Sequence, residues 1–143
     1  MIRILTFLTA LVAGGLGAAP ARALELTLPA NARLTAERNS VLDSYAMPIE
    51  AYGARILPAR TIEGKVRRAA WRIASPGLTT LQVLAPLRAQ IIAAGYTVAL
   101  DCDQISCGGF DFRFATEVLP APNMYVNIRA FRFLSAFTGT TDA

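Results

Sequence analysis

The chain is 143 residues long, carries 14 basic and 10 acidic residues for a net charge of +4, and contains no histidine. The missing imidazole excludes Ser-His-Asp and Cys-His catalysis and histidine-ligated zinc hydrolysis, and two cysteines are too few for a four-thiolate metal cluster. The charge is too small for nucleic-acid binding, which calls for a dense basic patch, so no nucleic acid is expected as a partner.

Residues 1–23 read as a secretory signal peptide. Arg3 supplies the positive start, Ile4 to Leu16 the apolar run, and Ala21-Arg22-Ala23 the small-x-small site, which places cleavage between Ala23 and Leu24. The apolar run is shorter than the ~20 residues of a membrane span and is broken by Gly14 and Gly15. No cysteine follows it that would take a lipid anchor. Arg3 and Arg22 leave with the leader, so the balance of the exported chain falls from +4 to +2. The expected compartment is the periplasm or cell envelope, and what remains is the size of one domain.

Residues 24–59 are punctuated by Pro29, Pro48, Gly53 and Pro58 and read as an extended N-terminal arm with short strands. Leu26-Thr27-Leu28 alternates as a strand does, while Ala32 to Leu42 suits either a helical turn or an extended piece. The core of the domain is expected over residues 60–136, with 137–143 as a C-terminal tail. It opens on a strand from Arg60 to Ala74, with Ala69, Trp71 and Ile73 apolar and a bulge expected where the alternation slips at Arg67-Arg68. Basic residues run from Arg55 to Arg72 against Glu63 as the one acid, which suits a solvated strand face or contact with phospholipid or lipopolysaccharide headgroups.

Ser75-Pro76-Gly77 is a turn signal, and Thr79 with Gln82 forms a capping box for a helix running to Ala94 and stopped by Gly95. Leu81, Leu84 and Ile91 are expected on its sheet-facing side, Arg88 and Gln90 on its wet side, and Pro86 is expected to kink it or delay its start. Tyr96 to Cys102 then reads as a strand, so the unit is strand, helix, strand. Cys102 and Cys107, in a chain sent to an oxidising compartment, are expected to form a structural disulfide rather than a redox pair, which favours two intervening residues at a helix start.

Phe110, Phe112 and Phe114 recur at period two, as do Phe131 and Phe133, with Tyr125, Val126 and Ile128 leading in. Such rings suit a buried strand face better than a stacking platform, but Phe110, Phe114 and Val118 also fit helical spacing, and residues 110–118 stay open between strand and helix. Asp101, Asp103 and Asp111 flank the disulfide and invite a paired-carboxylate hydrolase or a calcium site. The glycine and distant glutamate of a helix-loop-helix calcium loop are missing. Lys65, the sole lysine, has no Ser-x-x-Lys motif before it and reads as solvated. No catalytic, cofactor-binding or metal-ligating residue is assigned, and no cofactor is expected.

Ala70-Trp71-Arg72, the run from Pro76 to Gln82, Leu84 to Arg88, Ala94-Gly95-Tyr96, the stretch from Cys107 to Pro120 and Phe131 to Leu134 together carry a resemblance. Over roughly Leu26 to Ala136 the chain resembles the N-terminal, envelope-side domain of alphaproteobacterial OmpA family proteins. The resemblance implies a periplasmic α+β domain ahead of a separate OmpA-like domain that grips peptidoglycan and has no counterpart in these residues. It also implies further strand after about Ser135, where the chain turns to Ala136-Phe137-Thr138-Gly139, a departure that suits a truncated or a frame-altered form of a longer two-domain protein and leaves the two open. The expected fold is a small α+β sheet with a central strand-helix-strand unit, one local disulfide and a final strand missing. The expected role is a non-catalytic envelope module that packs with a neighbouring domain or another envelope protein and does not bind peptidoglycan itself. The alternative is a carboxylate-dependent envelope hydrolase.

Overall fold

The computed structural model describes residues 24–74 and 76–139. The expected leader, with Ala23 of its cleavage site, Ser75 of the expected turn and the end of the tail lie outside the described residues. In chain order the elements are β1 (Ala32–Pro48), β2 (Ala59–Ile73), α1 (Thr80–Ala93), β3 (Thr97–Asp103), α2 (Gln104–Cys107), α3 (Gly109–Ala115) and β4 (Arg132–Phe137). They form two antiparallel two-stranded sheets, β1–β2 and β3–β4, in a mixed α+β fold with one disulfide.

The arm expected to hold short strands instead contains the longest strand among the described residues, 17 residues paired with β2 from end to end apart from two irregularities. Leu26-Thr27-Leu28 lies outside any strand. The ribbon turns back through residues 49–58, where Gly53 and Ile56 exchange backbone hydrogen bonds of 3.0 and 2.9 Å. Ala54 and Arg55 between them take φ of 48° and 66°, the left-handed pair that a tight two-residue hairpin turn requires.

The bulge expected at Arg67-Arg68 is not there. Arg67 and Arg68 face Asn39 and Arg38 in unbroken register, and the irregularities lie between Leu34 and Ala36 and between Ser40 and Asp43. The pattern slips in the sequence because Arg68, on the same side of the strand as buried Ala70, is held inward by ion pairs rather than because the backbone resets.

Thr79 caps α1 through the expected box: its side chain accepts from the Gln82 N–H at 3.2 Å, and Gln82 Oε1 accepts from the Thr79 N–H at 2.8 Å. The helix closes as Gly95 (φ 84°) and Tyr96 donate to the carbonyls of Ile92 and Ile91, the doubled bond that a left-handed glycine permits. Pro86 sits within the continuous helix and neither shortens nor delays it. The expected packing face needs correction, since α1 buries no residue fully: Leu84 and Ile91 are half-buried and Leu81 is exposed. The cause is topological. The strand before α1 and the strand after it belong to different sheets, so α1 lies against the two-stranded β3–β4 sheet alone rather than on a sheet that joins both flanking strands.

The core sits at the disulfide. Cys102 at the end of β3 and Cys107 at the end of α2 are bridged with a Cα–Cα distance of 5.1 Å, and both are buried with Phe112 and Phe131. Tyr52, Leu57, Leu100, Val126 and Phe133 pack around them. Residues 110–115 are helical, and this separates the three phenylalanines: Phe112 is buried edge-on to Phe133 at 5.0 Å, while Phe110 and Phe114 meet each other at 4.3 Å on the outside. The ribbon's loop docks here through Tyr52, whose N–H donates to the Cys107 carbonyl at 2.8 Å. Ser135 of β4 adds a buried hydrogen bond of 2.6 Å to the Pro48 carbonyl.

Candidate functional site

The three acids around the disulfide do not converge into one site. Asp103 ends β3 and caps α2: its carboxylate accepts from the Ser106 N–H at 2.9 Å and from the Ser106 hydroxyl at 2.8 Å. The backbone bond first, and the hydroxyl next, hold the Asp103 carboxyl below the usual carboxylate range. Asp101, two residues earlier, accepts from Arg88 Nη2 at 2.9 Å, and this ion pair ties α1 to β3. Arg88 was expected on the wet side of the helix, but the attraction of Asp101 turns it inward and leaves it half-buried. Asp111 occupies the first turn of α3, where a negative charge faces the positive end of the helix dipole. Among the described residues no group of three His, Cys, Asp or Glu side chains is placed to hold a metal ion.

Among the described residues, open grooves lie elsewhere, and two of them bear on function. One, of about 520 Å³, runs between the end of β2, the first half of α1, α3 and the start of β4. Trp71, Leu84, Phe112, Tyr125, Phe131 and Arg132 are among its lining residues, so its walls are mainly apolar. Such a groove suits apolar side chains of a partner better than it suits bond-making chemistry, which needs convergent polar groups.

The second, of about 540 Å³, lies where residues 117–119 and 124 cross β2. Its polar centre is Arg68, whose Nε meets Glu117 Oε1 at 2.6 Å, whose Nη1 meets Asp43 Oδ2 at 3.0 Å and whose Nη2 donates to the Ser44 carbonyl at 3.3 Å. The Ser44 N–H, then Arg68, hold the Asp43 carboxyl below the usual range. Tyr45 lines the same groove, and its hydroxyl is pushed up mainly by burial and further by Glu117. This group was not legible in the sequence, because Arg68 and Glu117 are 49 residues apart and no local spacing links them.

The basic stretch is partly neutralised. Arg67 pairs with Glu37 at 2.9 Å across the ribbon, and Arg60 lies 4.8 Å over the ring of Phe137. Lys65 is exposed on β2 opposite the irregular Val41-Leu42 segment, far from the setting a nucleophile-activating lysine requires. No family model matches the chain, and neither the curated proteins nor the solved structures contain a match to it. What is defined at this point is a class of fold: a small α+β chain with one disulfide, two ribbons of sheet and open apolar surface.

Proposed function

We propose that the chain is a non-catalytic module of the cell envelope, exported to the periplasm and similar to the N-terminal domain of OmpA family proteins. It packs against a neighbouring domain or another envelope protein. The observation that carries this reading is that two of the three acids beside the disulfide already have structural partners, Asp103 in a helix cap and Asp101 in an ion pair with Arg88. A pair of carboxylates working as acid and base needs both groups facing a shared cleft, with one of them raised in pKa; Asp103 is instead held down. The half-buried side of α1 and the apolar groove beside it support an interaction role.

The test is retention by purified sacculi at about 0.15 M salt, where exposed charges are screened over about 8 Å. The chain beginning at Leu24 is expected to stay in the supernatant. Saturable retention at that salt would overturn the reading of a module that does not bind the wall. Mass spectrometry of the periplasmic fraction is expected to find the mature start at Leu24, and recovery of residues 1–23 on the envelope-bound protein would contradict cleavage.

A further inference from the structure

Strand β2 has an outer edge that no other strand of the chain covers. Its sheet has two strands, so β1 alone pairs with it, and no backbone hydrogen bond from a loop or turn among the described residues reaches residues 60–69. The groove of about 540 Å³ is lined by every β2 residue from Ile62 to Ala69 but by Tyr45 alone of β1, which sets it along this outer edge. An open edge presents unpaired N–H and C=O groups and is a template for another strand.

Charge that guards such an edge works by repelling a second copy, and the middle of this edge does the reverse. Glu63 and Lys65 flank Gly64 on one face of β2, both exposed and neither in an ion pair among the described residues. Turned antiparallel about Gly64, a second β2 sets its Lys65 opposite Glu63 and its Glu63 opposite Lys65. On the other face the same register sets Ile62, 42% exposed, opposite Val66, and does so twice. Gly64 meets its own copy at the axis and carries no side chain to hold the two backbones apart. The outer edge of β1 has no equivalent match. There the register that opposes Arg33 and Asp43 also opposes Arg38 to itself, and Asp43 already holds Arg68.

We propose that the chain pairs with a second copy of itself along β2, making one continuous antiparallel sheet in which Glu63 and Lys65 of each copy oppose Lys65 and Glu63 of the other. The contact runs from Thr61 to Arg67 and ends where Arg60 faces Arg68 of the second copy. It is isologous, so it closes as a pair and does not propagate. So short an interface makes a weak dimer that dissociates on dilution.

The test is sedimentation equilibrium from micromolar to millimolar concentration. All described elements follow residue 23, so the chain is used from Leu24, which also removes the apolar leader from the measurement. A monomer–dimer equilibrium is expected. Lys65→Glu and Glu63→Lys each put like charges at both opposed positions, and each should weaken the dimer about tenfold. Mixed together, the two variants should pair with each other at about parent strength, because both opposed positions then carry opposite charges. Lys65 is the sole lysine, so carbodiimide coupling of isotope-labelled with unlabelled chains should join Glu63 of one copy to Lys65 of the other. A monomer at every concentration would overturn the proposal, as would a dimer that either variant keeps at full strength. So would a mixture that associates no better than the variants alone, or coupling of Lys65 only to acids other than Glu63.

Discussion

The disulfide corner and the long ribbon solve the same problem of stability with different means. At the corner β3, β4, α2, α3 and the ribbon's own loop converge on Phe112, and a covalent bridge closes over them. Along the ribbon each strand has one partner, and support comes from cross-strand hydrogen bonds, ion pairs such as Arg67 with Glu37, and the residues that cross its faces. Isolated two-stranded ribbons are marginal in water, and exposed ion pairs contribute little. Stability is therefore concentrated at one end, while much of the ribbon and of α1 stays exposed.

The largest expected effect breaks the corner. Phe112→Ala should cost about 3 to 5 kcal/mol in urea unfolding, through lost burial and the cavity left behind. Gly108→Ala should cost about 3 kcal/mol, since a Cβ there would stand 2.8 Å from both Cβ and O of Tyr52, at a φ of 108°. Gly95→Ala gives the contrast: its φ of 84° is also left-handed, but nothing lies within 4 Å, so the loss should be limited to backbone strain of about 1 kcal/mol.

Replacing both cysteines by serine should lower stability by about 2 kcal/mol, the chain-entropy value for so short a loop, and mapping of the native protein should find the bond within one chain. A parent-like double variant would show that packing alone holds the corner. Leu84→Ala on the half-buried face of α1 should cost only about 1 kcal/mol, because little area leaves water there. A loss as large as that of Phe112→Ala would erase the distinction between the two regions.

In the ribbon's turn, Ala54→Asn with Arg55→Gly should raise stability by about 1 kcal/mol, since these residue types tolerate the positive φ that Ala54 and Arg55 now occupy. The smallest effect is on acidification. Glu37, Asp43 and Asp103 have folded-state pKa values below their ordinary ones, set chiefly by Arg67, the Ser44 N–H and the Ser106 N–H respectively. Their contribution is fully present above the ordinary carboxylate range and is lost as pH falls through the lower folded values. Melting temperature should accordingly drop on the acid side of that range, and a melting temperature that rises there would contradict these contacts.

The legible parts of the sequence were those governed by local rules. The Thr79 box, the Gly95 stop, β3 and the pairing of Cys102 with Cys107 all follow from residues a few positions apart, and the structure contains each of them. The strand from Ala32 to Pro48 was obscured because its long run mixes polar and apolar residues without clean alternation and carries two irregularities. The helical state of residues 109–115 was undecided because three phenylalanines at period two fit a strand as well as they fit a helix that buries only the middle ring. Around the candidate site, the acids were visible but their employment was not, since the cap at Ser106 is local and the Arg88 pairing depends on how α1 lies on β3. The Arg68 group depends wholly on long-range packing.

Asp101 and Asp103 are proposed to hold the fold rather than perform chemistry. Release of soluble fragments from purified sacculi, measured for the parent and for the Asp101→Asn, Asp103→Ala double variant, tests this role most directly when paired with their melting temperatures. No fragment release is expected from either protein, and a lower melting temperature is expected for the variant, which loses the ion pair to Arg88 and the cap on α2. Fragment release by the parent that disappears in a variant of unchanged melting temperature would contradict the structural role.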